Sequence, residues 1–265
     1  MISNNINTIY VDLCKKLLAS NSINKNTVDM ENVMFTLTDL NNNITSVRDL
    51  SIEYLCGEML WYVTARNDID FIHKFSTFWS RLSDDGVTCN SAYGDIIFKR
   101  HGFNQVEKII ELLEKDKYSR RAVINLNVPN INVVETNDEI CTIALVFKVK
   151  DNKLNCTGIM RSNDIYLGLP YDVAFFTSLQ KYIANRLSLE YGEYTHFVTN
   201  IHFYGRDYDR IKEISNRSEW KHISFNYEKM MEYSNYLESL VITSDTPRET
   251  LVNKCYNLNI VEVEK

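Results

Sequence analysis

The sequence predicts one mixed α/β domain spanning residues 1–265, and three observations predict it. Apolar runs at 141–149 and 154–160 flank a polar Asp151-Asn152-Lys153 turn, which is the pattern of a β-hairpin. Segments 1–20, 47–65, 103–115 and 173–189 place apolar side chains three and four residues apart, the period of a helix with one buried face. At 265 residues, with 45% hydrophobic content, 8 glycines and 3 prolines, the chain can fill one core and favours regular elements joined by polar turns.

Taken in order, residues 1–20 put Ile9, Leu13, Leu17 and Leu18 on one helix face, and 21–26 form a polar connection containing Lys25. Residues 33–37 read as a short strand and Asn41 to Asn43 as a turn. The helix over 47–65 turns Leu50, Leu55, Met59 and Tyr62 inward and carries Glu58 among apolar neighbours. A second helical stretch, 71–82, ends at Asp84-Asp85-Gly86, and the helix over 103–115 buries Val106, Ile109, Ile110 and Leu113. Tyr118-Ser119-Arg120-Arg121 precedes a strand over 122–128, and 129–140 is a polar loop. The hairpin follows, opened by Cys141. After it come Arg161-Ser162-Asn163-Asp164, Gly168 to Asp172, and a helix with Val173, Phe176, Leu179, Tyr182 and Ile183 inward, which puts Asp172 at a buried helix N-terminus. A helix N-cap is the ordinary role of an aspartate there. Gly192 marks a turn, and 197–204 a strand on which His202 and Tyr204 share a face. A helix to Ser215, an irregular region around Trp220 and an apolar stretch over 258–263 complete the chain.

Composition narrows the function classes. A net charge of −6 argues against a general attraction to nucleic acid. No apolar run approaches the ~18 residues of a membrane span, and no basic segment precedes an apolar one at the N-terminus, so a cytoplasmic location without membrane contact is expected. The six cysteines form no Cys-x-x-Cys pair, which argues against a zinc site and, in a reducing compartment, against a disulfide framework. No glycine-rich phosphate loop is present, which disfavours a nucleoside-triphosphate site.

One constellation is far more specific than any single motif. Ser119-Arg120-Arg121, Cys141, Arg161-Ser162-Asn163-Asp164, Gly168 to Asp172 and His202-Phe203-Tyr204, with Arg48, Glu58, Trp79 and Tyr93 upstream, resemble the thymidylate synthase family over residues 44–210. Asp172 stands where that family carries the Asn that reads uracil. In this, and in Thr142 and Asn163, the chain is more similar to the cytidylate hydroxymethylase branch.

The resemblance implies a thymidylate synthase-like fold, a large mixed β-sheet flanked by helices, assembled as a sheet-to-sheet homodimer. In that dimer Arg120 and Arg121 would cross to the neighbouring active site and bind the nucleotide phosphate, a task suited to the planar guanidinium fork. It implies Cys141 as nucleophile, Glu58 organising proton transfer through water, Tyr93 positioning the nucleophile or its water, and Asp172 at the base. Arg161 and Ser162 would bind the nucleotide, and His202 and Tyr204 its sugar 3′-OH. Trp79, Asp164, Gly168, Tyr171 and Arg48 would face the co-substrate, 5,10-methylenetetrahydrofolate, with no metal.

The chemistry needs a thiolate, because pyrimidine C5 attacks a one-carbon electrophile only after a nucleophile has added at C6. A free thiol has a pKa of ~8.5 and arginines favour its ionised form, so Arg161 and the partner subunit's Arg120 and Arg121 are expected to activate Cys141. The exocyclic methylene that forms on the pyrimidine then takes hydride, giving methyl, or water, giving hydroxymethyl. The polar Val263-Glu264-Lys265 end and Leu82, at a position where the family has a second tryptophan, favour water. Three readings follow: a folate-dependent cytidylate hydroxymethylase, a C5-methyltransferase on cytidylate or uridylate, and a catalytically silent relative that binds nucleotide or messenger RNA.

Overall fold

A computed structural model describes residues 1–20, 23–24, 26–127, 135–239 and 246–264. Lys25, Val128 of the expected strand, the loop stretch 129–134 and Lys265 lie outside the described residues.

A two-residue strand, β1 (Ile2–Ser3), precedes helix α1 (Ile6–Ala19), which starts later than the expected 1–20 because the Asn5 side chain caps it by accepting from the Asn7 amide. Strands β2 (Ile23–Asn24) and β3 (Thr27–Leu37) follow; β3 is longer than the 33–37 expectation because its polar half is held by pairing. Helix α2 (Ile52–Val63) begins only after its cap, Ser51. The expected 71–82 helix is two pieces, α3 (Ile69–Ile72) and α4 (Phe78–Leu82): the Phe75 ring packs onto Gly57, and Ser76 restarts the helix by accepting from the Phe78 amide. Helix α5 (Tyr93–Phe98) was not anticipated, whereas α6 (Gln105–Lys115) matches its amphipathic pattern.

Strand β4 (Val123–Asn125) is shorter than expected, and the hairpin of β5 (Thr142–Lys150) and β6 (Lys153–Met160) forms as predicted. Its turn residues, Asp151 and Asn152, have φ of 49° and 61°, the left-handed pair of a two-residue hairpin turn that Asp and Asn tolerate. Next come β7 (Asn163–Asp164), α7 (Leu169–Arg186) and β8 (Glu190–Tyr204). Gly192 lies inside β8, not in a turn; a Cβ there would strike Asn155 and the Leu154 carbonyl, so glycine permits close approach to β6. Helix α8 (Tyr208–Ser215), β9 (Ile223–Phe225), α9 (Tyr227–Ser239), α10 (Arg248–Asn257) and β10 (Val261–Val263) complete the fold, with β10 antiparallel to β9.

Among the described residues the main sheet runs β1-β3-β8-β6-β5-β4, with β2 beside β3 and β7 beside β8. Strand β8 is the hub: antiparallel to β3 and parallel to β6, the parallel pair being joined through α7. Phe175, Phe176, Leu179 and Ile183 of α7 are fully buried, together with Trp61 of α2 and Tyr10 of α1. The outer sheet face carries a cross-strand row of Met34, Phe197, Ile159 and Ala144, beside Thr36, Thr195, Thr157 and Val146. Met34 on this face is 58% exposed.

One irregularity positions the site. On β8, Tyr194, His196 and Val198 are buried, but beyond them the buried residues are Ile201 and Phe203, so the alternation changes parity between 198 and 201. The ladder skips the Asn32/Thr199 pair at this point, and Asn32 adopts a left-handed φ of 53°. His202 and Tyr204 are thereby delivered to the opposite side from His196.

Candidate active site

Where β5 begins and β6 ends, the sheet opens into a cleft of about 1210 Å³. It is lined by Arg48, Glu58, Trp79, Tyr93, Cys141, Arg161, Ser162, Asp164, Gly168, Tyr171, Asp172, His202 and Tyr204. All the expected site residues except Arg120 and Arg121 converge here. Those two are exposed and outside the lining of their own chain's cleft.

The floor is built by helix geometry. Tyr54, Glu58 and Tyr62 lie four residues apart on α2, so their side chains stack on one face, and the hydroxyls of Tyr54 and Tyr62 donate to Glu58 Oε1 at 2.7 and 3.2 Å. The Trp79 indole Nε1–H donates to the Tyr54 hydroxyl at 2.9 Å, giving a chain from indole to phenol to carboxyl. Glu58 Oε2 is buried without a partner among the described residues. Burial pushes the Glu58 carboxyl up to about 8, against the pull of the Tyr54 bond and with a further push from Asp172. Tyr54 and the Tyr62 hydroxyl escaped sequence reasoning; the i, i+4, i+8 spacing around an acid inside an apolar helix was the available signal.

Asp172, expected at the base, sits in the first turn of α7 and does not take the ordinary cap role: Gly168 is the N-cap position, with no side-chain bond. Asp172 Oδ2 instead accepts from Asn163 Nδ2 at 2.7 Å. The close packing around it raises its carboxyl to about 7, against the Asn163 bond. Tyr93, at the start of α5, shares a 2.7 Å hydroxyl bond with buried Thr142.

Half-buried Cys141 lies one residue before β5, with its Sγ 3.8 Å from the Glu139 carbonyl. The expected activation is outweighed within one chain: burial raises the thiol above its usual value and Arg161 only partly offsets this, with Asp172 adding to the rise. Arg161 is held by the Glu139 and Ile140 carbonyls at 2.8 and 2.9 Å, so its guanidinium is fixed beside the thiol.

At the other wall, the Arg48 guanidinium lies 4.4 Å from the Tyr166 ring centroid and 5.5 Å from that of Tyr171, with Nε and Nη1 buried and without a hydrogen-bond partner among the described residues. Asp164 Oδ1 accepts from the Tyr166 and Leu167 amides, whereas Oδ2 is buried without a partner among the described residues. Buried donors and acceptors without partners cost stability, so those in the cleft wall are groups that a ligand or water could satisfy. The rings of His202 and Tyr204 meet edge to face at 5.5 Å, and Ser162 Oγ is 3.5 Å from His202 Nδ1. Among the described residues no cluster of acids, histidines and cysteines could hold a metal ion, and no helix is long and apolar enough to cross a membrane.

Comparison with known proteins agrees with this geometry. The family profile described as thymidylate synthase matches residues 8–245. A deoxyuridylate hydroxymethyltransferase of Bacillus phage SP01 is 28% identical over 175 residues, covering 61% of this chain and 45% of that protein. One from Pseudomonas phage M6 is 27% identical over 172 residues, covering 63% of this chain and 49% of the phage protein. The thymidylate synthase of Francisella philomiragia subsp. philomiragia is 23% identical over 185 residues, covering 64% and 68%. The matched region thus spans about half the length of the two phage relatives. With the profile matching residues 8–245, nearly the whole chain, the protein belongs to the thymidylate synthase family.

Proposed function

We propose that this protein transfers a one-carbon unit to C5 of a pyrimidine nucleoside monophosphate, and that its substrate is a cytidylate, dCMP, converted to 5-hydroxymethyl-dCMP. The convergence of Cys141, Glu58, Tyr93, Arg161, Asp164 and Asp172 on one cleft carries the reaction class. A reduced folate, 5,10-methylenetetrahydrofolate, would supply the methylene as an electrophile. The unpaired Asp164 Oδ2 suits an N–H-bearing pterin, Arg48 suits a carboxylate, and Trp79, Gly168 and Tyr171 provide flat or close walls for it.

In this reading Cys141 Sγ, once ionised, bonds to C6 of the pyrimidine and makes C5 nucleophilic; C5 would bond to the methylene carbon and lose its proton, tetrahydrofolate would leave as its carbon–nitrogen bond breaks, water would add its hydroxyl to the exocyclic carbon, and the C6–S bond would then break to return the thiolate. Arg161, joined by the partner subunit's Arg120 and Arg121, lowers the cost of the thiolate and of the substrate phosphate. Glu58, largely protonated at neutral pH, passes a proton through water to and from the ring, with Tyr54 and Tyr62 fixing its carboxyl. Ser162, His202 and Tyr204 hold the sugar side. The apolar outer row from Met34 to Ala144, together with the exposure of Arg120 and Arg121, supports a sheet-to-sheet homodimer in which the arginines serve the neighbouring cleft.

The base choice rests on Asp172. Cytosine presents an acceptor at N3 and a donor at N4, and a carboxyl that holds a proton near neutrality matches both, while uracil reverses each. Water as the final nucleophile is supported by Leu82 in the cleft wall. The names of the phage relatives favour a second reading, hydroxymethylation of dUMP. Incubation with dCMP, CMP and dUMP plus the folate, with mass analysis of products, separates them. We expect 5-hydroxymethyl-dCMP without dihydrofolate; product from dUMP alone would give the second reading, and stoichiometric dihydrofolate a methyltransferase.

A further inference from the structure

The pair Asn163–Asp172 contains more recognition chemistry than Asp172 alone provides. Asn163 is 3% exposed, is set by the short strand β7, and lines the cleft. Its Nδ2 donates to Asp172 Oδ2, while its Oδ1 is buried with no partner among the described residues. Gly168 makes space for this pair: a Cβ there would stand 3.1 Å from Asn163 Nδ2 and 3.3 Å from Asp172 Oδ2. An amide N–H only donates, so Oδ2 is committed as an acceptor; the Tyr93 hydroxyl also bonds this carboxyl, and when its hydrogen goes to Thr142 a proton on Asp172 is directed to Oδ1. The outcome is a row of fixed polarity: a donor at Asp172 Oδ1, an acceptor at Asp172 Oδ2 and a second acceptor at Asn163 Oδ1.

A 4-amino-pyrimidine fits that row with every group used. Its N3 takes the Oδ1 proton, one N4 hydrogen goes to Asp172 Oδ2, and the second N4 hydrogen remains for an acceptor on the Asn163 side. We infer that Asn163 is a specificity-determining residue, taking the second hydrogen of the cytosine amino group on Oδ1 while its Nδ2 fixes the polarity of Asp172. This rests on the cytidylate reading and extends it. With uracil, O4 would face two acceptors.

Leaving a buried polar group unpaired weakens binding, so Asn163→Ala is expected to lower kcat/KM for dCMP about tenfold or more while leaving that for dUMP unchanged or raised. Asn163→Ser, which keeps a polar atom but cannot span both contacts, should fall between. Folding is checked by thermal melting. If neither variant folds, the wild type decides with N4-methyl-dCMP, in which one amino hydrogen is replaced: a loss of about tenfold relative to dCMP is expected. A dCMP-to-dUMP ratio unchanged within about twofold in a folded Asn163→Ala, or full activity of the wild type on N4-methyl-dCMP, would overturn the inference and leave the cytidylate reading standing. A wild type that prefers dUMP overturns both.

Discussion

The two halves of β8 carry the same chemistry to opposite ends. At one half, His196 is fully buried, stacks on Phe35 with ring centroids 4.9 Å apart, and shares a 2.8 Å bond with Tyr194; burial lowers its pKa to about 3, so it is a neutral core residue. At the other half, His202 and Tyr204 look into the cleft. Six residues apart on one regular strand, the two histidines would share a face. The change of parity beside Asn32 and Thr199 separates them, and it falls where Thr199 Oγ1 donates to the Arg161 carbonyl, next to Cys141, whose own carbonyl accepts from the Arg161 amide. One local irregularity therefore divides a residue set that serves stability from one that serves the cleft.

If that division holds, changes on the cleft side cost activity and changes on the core side cost stability. The largest effect is expected from Cys141→Ser: turnover should fall about a thousandfold or more, since the hydroxyl is a far poorer nucleophile, with no loss of Tm. Release of tritium from C5-labelled nucleotide measures this, and more than a few per cent of residual activity would remove Cys141 from the nucleophile role. Next, Arg121→Ala should be nearly inactive alone but should regain activity when its chains are mixed with Cys141→Ser chains, because a hybrid dimer holds one site with both wild-type residues. No recovery, with subunit exchange demonstrated, would confine each cleft to one chain.

Glu58→Gln sharpens the contrast through pH. Glu58 and Asp172 have folded pKa values of about 8 and 7, above their ordinary 4.5 and 3.8, so the folded state holds protons that the unfolded state releases, and stability falls as pH rises through those windows. Glu58→Gln should lower kcat by roughly a hundredfold. It should also raise Tm by about 5 °C at pH 8 and by much less at pH 5. An equal shift at both pH values would mean that the carboxyl is not charged at a cost in the fold.

The smallest effect is on the core side. His196 has its pKa lowered from 6.5, so its contribution runs the other way: the unfolded state takes up a proton below 6.5 that the folded state refuses, and stability is lost as pH falls from there toward 3. His196→Phe should flatten that acid limb in thermal melts, cost about 1 kcal/mol near pH 7 through the lost Tyr194 bond, and leave kcat/KM unchanged. A changed substrate ratio in this variant would couple the two halves of β8 and break the division.

What could be read before the fold was known follows distance along the chain. The hairpin turn at Asp151-Asn152, the amphipathic α6, the shared face of His202 and Tyr204, and the Cys141, Arg161 and Asp164 constellation depend on neighbouring residues or on spacing, and they were legible. Two helix limits and the split of the 71–82 stretch were not, because caps at Asn5 and Ser51 and the meeting of Phe75 with Gly57 override propensity.

Sequence by itself determined the class of fold, the family, and most of the motif side chains that meet in the cleft, though not Tyr54 and Tyr62, since apolar periodicity and a multipart motif are local or ordered properties. Tertiary structure alone decided what those side chains are worth. It stacked Tyr54 and Tyr62 on Glu58, joined the Asp172 carboxyl to Asn163 instead of to a helix end, and set burial against Arg161 at Cys141. It also reversed the face of β8 between its two histidines. The physical reason is that polarity, protonation and orientation depend on solvent exclusion and on partners contributed by distant segments, which spacing along the chain does not encode.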